Sequence, residues 1–284
     1  MDGENNKTTS NINIQTRIEN KSPLRYPGGK TRACAILHSI LNEHFDIALF
    51  KNIISPFFGG GSFEFYMQNK YQLTIIANDK FTPLYNFWNN CKLNKERLCE
   101  ELYAAIGNIN KTDFTSCRDQ IMNETNDLTQ SVQYFKINRC SFSGATLSGG
   151  FSLESSEKRF TTSSVDRIKQ LNLTSCFEIY NMDFEDFIHQ NSNSNSNSEN
   201  LMFLDPPYYL EKGSKLYGNN GDMHENFNHI KLHESLSTKK NWFMTYNNCD
   251  FIRNLYKDFK IIETSWSYGM NKSKKSSELV IIRN

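Results

Sequence analysis

Apolar positions fall into short runs along this chain, separated by polar or turn-forming clusters. Residues 49–55, 73–79 and 200–204 are largely apolar runs of strand length. Runs of that kind belong to strands covered on both faces, as in a parallel sheet. Residues 177–184 read as a strand passing into a helix, and residues 242–246 as a further strand. Residues 260–268 and 278–283 complete the set as an antiparallel pair. Helical spacing lies between the strands. Ile36 and Ile40, like Leu37 and Leu41, recur four apart, and residues 63–68 and 83–88 begin further helices. Strands alternating with helices make an α/β, Rossmann-like fold.

The rhythm breaks between residues 91 and 162. Residues 95–106 are helical, and the Gly-, Ser- and aromatic-rich stretch at 140–152 suggests exposed loops or a hairpin. An inserted, mainly helical domain at 91–164 is expected, with the catalytic domain built from 23–90 and 165–284. Residues 1–22 are rich in Asn, Thr, Ser and charge and read as a disordered tail. Residues 191–198 alternate Asn and Ser, a low-complexity surface loop.

Three stretches carry chemistry. In the first, Gly28-Gly29-Lys30 precedes a helix. Glycines at a helix start make a site for an anionic group, with Lys30 as counter-charge. A nucleotide-binding P-loop is excluded, because it needs a glycine where this chain has Leu24. In the second, Pro56-Phe57-Phe58-Gly59-Gly60-Gly61-Ser62 joins a strand to a helix. That is the cofactor-binding unit of a Rossmann-like sheet, but the spacing is not that of a dinucleotide fingerprint. Asp79 ends the next strand at close to the ~20-residue interval expected of a carboxylate gripping ribose hydroxyls. In the third, strand 200–204 stops on Asp205-Pro206-Pro207-Tyr208. The prolines fix φ and lack donors, so the corner offers acceptors, the Asp205 carboxylate and the Pro206 carbonyl, beside a flat ring. Two acceptors and an aromatic plate suit a planar group carrying an NH2.

Composition adds less. Aromatics reach 13% and hydrophobic residues 38%, enough for a core with rings to spare, but the net charge is only +1. Any basic surface for nucleic acid must be local. The seven cysteines lack Cys-x-x-Cys spacing and read as free thiols in a reducing compartment. His229 and His233 lie four apart without the Glu or third ligand of a zinc site, so no metal is expected. No signal sequence or membrane span is evident, which suggests a soluble intracellular protein.

Together the three stretches resemble the amino-methyltransferases that use S-adenosylmethionine, and most of all the Dam-type DNA adenine-N6 methyltransferases. The resemblance runs from about Pro23 to the C-terminus. It rests on Gly-Gly-Lys, Phe-x-Gly-x-Gly (Phe57, Gly59, Gly61), a ribose acid, a recognition region and Asp-Pro-Pro-Tyr, in that order. It implies that Tyr26, Lys30, Phe57, Gly59, Gly61, Asp79, Asp183, Phe184 and Asp205 line a pocket for S-adenosyl-L-methionine, with S-adenosylhomocysteine as product. It implies that Asp205, Pro206 and Tyr208 act on an adenine flipped from double-stranded DNA. Asn-Arg followed by an aromatic and a glycine marks the recognition region, with Lys136, Arg139, Lys158 and Arg159 as candidate DNA contacts. Residues 210–224 would close over the base, and Lys272, Lys274 and Lys275 would touch phosphates. A cytosine-N4 enzyme usually has Ser at the Asp205 position and stays as an alternative, as does an inactive DNA-binding relative. A cytosine-C5 enzyme needs a nucleophilic Cys, typically after Pro, and no Pro-Cys pair occurs. A companion restriction endonuclease is left open.

Overall fold

A computed structural model describes residues 19–26, 28–144, 146–191, 199–209, 227–266 and 277–284. The expectations for the N-terminal tail, the 191–198 loop, residues 210–224 and the three lysines at 272–275 fall on residues outside these, apart from the few at the borders. Seven strands form one sheet: β1 (Asn52–Ser55), β2 (Thr74–Asn78), β3 (Phe177–Tyr180), β4 (Asn200–Leu204), β5 (Trp242–Asn247), β6 (Lys260–Thr264) and β7 (Glu278–Arg283), in the order β3-β2-β1-β4-β5-β7-β6. β1 to β5 run parallel, and β7 is antiparallel to both its neighbours. The order reverses between β1 and β4, which in an open α/β sheet is where ligands bind.

Side-chain alternation explains how the sheet is buried on both faces. Ile53, Phe203, Phe243, Val280 and Ile282 enter one apolar cluster. Ile54, Met202, Leu204, Met244 and Ile281 enter the other. β1 starts three residues later than its apolar run suggests, because Ile47–Leu49 is a 3-10 turn whose Ala48 amide is capped by Asp46.

Among the described residues the helices are α1 (Cys34–His44), α2 (Ser62–Tyr71), α3 (Thr82–Leu93), α4 (Lys95–Ala105), α5 (Lys111–Gln120), α6 (Asp127–Cys140), α7 (Leu153–Arg159), α8 (Thr162–Lys169), α9 (Phe184–Asn191), α10 (His229–Leu236) and α11 (Asp250–Leu255). Helices α4 to α8 form the insertion between α3 and β3. Leu98, Phe114, Tyr134, Phe135 and Phe160 of that insertion belong to the same apolar cluster as Ile53 and Phe203 of the sheet. α6 is buried almost all round, with Gln130, Ser131, Gln133, Asn138 and Arg139 as well hidden as its apolar residues. The stretch at 140–152 contains a short 3-10 turn and a single antiparallel bridge, Ser141 to Phe151. Among the described residues no helix is long and apolar enough to cross a membrane.

Candidate active site

The first glycine stretch, the second and the acidic corner meet at the carboxyl ends of the central strands. Asp205 follows β4 directly. Lys30 Nζ donates to both its oxygens at 2.6 Å and to the Gly28 carbonyl at 3.1 Å. Lys30 is 4% exposed and Asp205 23%, so the pair is shielded on the lysine side and open on the other. The ammonium also lies 5.1 Å from the centre of the Tyr208 ring. Pro206 is buried and Tyr208 half-buried, its ring 6.0 Å from that of Tyr246.

The second stretch is held rigidly. The Gly59 amide donates to Asp79 Oδ2 at 3.0 Å, and its carbonyl accepts from Trp88 Nε1 at 2.9 Å. Asp79 Oδ1 accepts from the Phe81 amide at 2.9 Å. Gly59 and Gly61 have φ of +52° and +64°, where a side chain is strained. A Cβ at Gly61 would stand 2.4 Å from the Phe58 ring, and one at Gly59 or Gly60 would strike Tyr26 at 2.8 Å. Tyr26 therefore lies on the glycine loop, which joins the first stretch to the second. Thr31 Oγ1 and Ser62 Oγ tie them again at 3.1 Å.

Asp183 stands before α9, accepting from the Glu185 amide at 3.1 Å and from Lys80 Nζ at 2.7 Å. Partial burial works to raise its carboxyl pKa, but the Lys80 and Glu185 hydrogen bonds outweigh it and hold the group below the usual range. Phe184 is buried against Phe57, ring centres 5.7 Å apart, and Phe227 packs on both. Phe227 lies outside every motif in the sequence, and only its aromatic character hinted at a part in the site.

Two buried acids feel their surroundings strongly. Burial raises Asp79 to about 6, against the Phe81 and Gly59 amides that pull it down. Burial raises Glu64, on α2, to about 8, against the hydrogen bond from Ser55. A carboxyl whose folded value exceeds its unfolded one holds its proton more tightly when folded. Stability is then greatest at low pH and falls as pH rises from about 4.5 through about 8 for Glu64. Between pH 6.5 and 8.5 Asp79, at about 6, is mostly ionised, so Glu64 contributes most of the change. The free protein is expected to melt at lower temperature at pH 8.5 than at 6.5, with Glu64→Gln removing much of that drop. Calorimetry showing the full drop in the variant would count against a buried, protonated Glu64.

Cys34 donates its thiol to the Lys30 carbonyl, and burial pushes it to about 12. It is a poor nucleophile there. Among the described residues no three His, Cys, Asp or Glu side chains gather as a metal site.

The four cationic candidates for DNA contact are not alike. Arg139 is 6% exposed and donates to the carbonyls of Arg159 at 2.7 Å and Pro23 at 3.2 Å. The expected DNA contact at Arg139 is thus largely buried and engaged by two backbone carbonyls. A long cationic side chain on a buried helix is drawn inward when two carbonyls there need donors. Its neighbour Asn138 pairs with both the amide and the carbonyl of Arg25 at 3.0 and 2.7 Å, so the Asn-Arg dipeptide fixes the first glycine stretch. Lys158 is exposed and paired with Glu154, Arg159 is exposed, and Lys136 is half-buried. Burial and the mutual repulsion of Arg25, Arg159 and Arg167 lower Arg139 to about 10, which marks a local concentration of positive charge. Phe142, the aromatic after Asn-Arg, is 67% exposed.

Residues 26–270 match the sequence model of the D12 class N6 adenine-specific DNA methyltransferases. The chain is also similar to the Type II methyltransferase M.MjaIII of Methanocaldococcus jannaschii, at 25% identity over 275 residues that span 86% of this chain and 90% of that protein.

Proposed function

Because this chain belongs to the D12 class of N6 adenine-specific DNA methyltransferases, we propose that Asp205, Pro206 and Tyr208 hold the target amino group and that S-adenosyl-L-methionine is the methyl donor. The enzyme transfers a methyl group to adenine N6 in DNA, and adenine rather than cytosine N4 is its target. The observation that carries the site assignment is the Asp205 carboxylate, fixed at the end of β4 with two oxygens already accepting from an N–H3⁺ group. Lys30 stands there as a donor of the same kind as the amino group to be methylated.

The residues fit the proposed cofactor. Asp79 offers carboxylate lone pairs for ribose hydroxyls beside a glycine loop that its own hydrogen bond to the Gly59 amide holds in place. Phe57, Phe184 and Phe227 offer flat apolar faces for an adenine ring, and Asp183 stands beside Phe184 as an acceptor for its amino group. Lys30 suits the methionine carboxylate. When bound, the cofactor supplies an electrophilic sulfonium methyl.

The chain's own work is alignment. The substrate we propose is a defined site in double-stranded DNA, with the adenine flipped out of the stack. Asp205 and the Pro206 carbonyl accept the two N6 hydrogens, which turns the nitrogen lone pair out of ring conjugation. Tyr208 stacks on the base, worth ~1–3 kcal/mol. Lys30 must leave Asp205 as the amino group arrives, and would then be free to hold the carboxylate of the bound cofactor. The proton freed from nitrogen passes to Asp205 and then to solvent. Arg25, Arg159 and Arg167, with Lys136 and Lys158, supply charge for the phosphates, and exposed Phe142 is available to bases.

A relative named as a Type II methyltransferase supports a modification role beside a cognate endonuclease. Seven free thiols suit a reducing compartment that holds the DNA. The test is to incubate the protein with S-adenosylmethionine and unmodified plasmid and map modified bases by single-molecule sequencing. N6-methyladenine at one short recurrent sequence is expected. Methyl groups on cytosine, or on adenines without sequence preference, would overturn it.

A further inference from the structure

β5 does more than complete the sheet beside the catalytic corner. β4 and β5 are parallel, with Leu204 in register with Met244. The next residue on each strand, Asp205 and Thr245, therefore stand at the same level. Thr245 Oγ1 donates to Asp205 Oδ1 at 2.6 Å. Two residues on, and so on the same face of β5, Asn247 Nδ2 donates to the Tyr209 carbonyl at 2.8 Å. The corner from Asp205 to Tyr209 is thus held at both ends by one strand.

Thr245 is wholly buried in a strand whose other interior positions are Trp242, Phe243, Met244 and Tyr246. A hydroxyl among such residues needs a partner, and the one it has is the catalytic acid. The two oxygens of Asp205 are then unequal. Oδ1 accepts from Thr245 and Lys30, whereas Oδ2 accepts from Lys30. When Lys30 moves away, Thr245 still occupies Oδ1 and fixes the rotation of the carboxylate.

We propose that Thr245 is a positioning residue for methyl transfer: its hydroxyl locks the Asp205 carboxylate so that Oδ2 receives the amino hydrogen of the target base. The inference rests on the assignment of Asp205 to that amino group. Thr245 touches neither base nor cofactor in this scheme and acts through the acid.

The test compares Thr245→Val with Thr245→Ser in the full-length enzyme, in single-turnover methylation of the mapped site at saturating S-adenosylmethionine. Valine keeps the branched shape favoured in a strand and removes the donor. The rate constant is expected to fall roughly ten- to a hundredfold, as for loss of a hydrogen bond to a charged group. Dissociation constants for cofactor and DNA should stay within about twofold of wild type, since binding does not require this lock. Thr245→Ser should recover most of the rate. A wild-type rate in Thr245→Val, or a serine variant as slow as the valine one, would overturn the proposal. If Thr245→Val fails to bind cofactor, the comparison moves to Thr245→Ser against Thr245→Cys, a strong donor against a weak one, and equal rates would overturn it. Asp205→Asn run in parallel separates the two levels. A near-normal rate there removes the underlying assignment, whereas a slow Asp205→Asn beside a normal Thr245→Val removes this inference alone.

Discussion

Asp205→Asn is expected to slow the methyl-transfer step by roughly 10²–10³-fold, the range for losing one preorganised polar contact to a transition state. The carboxylate now accepts from Lys30 and Thr245 at 2.6 Å each. An amide keeps the size and one acceptor but presents an NH2 where a donor must be received. It also loses the charge that meets Lys30. The amino group of the base then has a donor facing it, and its lone pair is no longer turned toward the methyl. The fold should survive, because the corner is also held through Asn247 and the Tyr209 ring stacked 4.3 Å from Phe251. Tyr208→Phe, which keeps the ring, should be mild by comparison. Single-turnover methylation at saturating cofactor separates transfer from binding. Turnover near wild type in Asp205→Asn would remove this carboxylate from the chemistry.

Asp79→Ala should weaken S-adenosylmethionine binding by about 1.5–3 kcal/mol, the worth of hydrogen bonds to a charged group. The same change frees the Gly59 and Phe81 amides, both now bonded to this carboxylate. The glycine loop keeps its other anchor, Trp88 on the Gly59 carbonyl. The pH dependence sharpens the expectation. Burial raises Asp79 to about 6, so the carboxylate form that grips hydroxyls best is filled in as pH rises through that value. Wild-type affinity should therefore increase from pH 5 to 7, and the alanine variant should lose that increase. Isothermal calorimetry at both pH values decides it; an alanine variant with unchanged affinity would place the ribose elsewhere.

The parts of this enzyme that were legible in sequence are those where backbone and chemistry demand the same residues. Gly59 and Gly61 sit at positive φ, and a side chain at Gly60 would strike that of Tyr26, so few other residues fit there. Asp205 ends a strand with four buried apolar residues, a pattern that shows without any structure. α6 was harder, since a helix buried on every side has no polar face to reveal its period. Arg139 reads as surface charge in sequence, and its two carbonyl partners lie 20 and 116 residues away. Thr245 is a good strand former in a strand, so nothing local sets it apart. Its meaning comes from the register of β4 and β5.

The insertion shares its apolar interior with the sheet, and Asn138 and Arg139 clasp the strand of chain that carries Lys30. The helices between α3 and β3 are consequently not a detachable module. A foreign segment grafted between α3 and β3 would arrive without the side chains that complete the shared interior, and would leave Phe114, Tyr134 and Phe160 without replacements. Changes in this part of the chain are therefore expected to be tolerated at its rim, around exposed residues such as Phe142 and Arg159, rather than as an exchange of the whole segment.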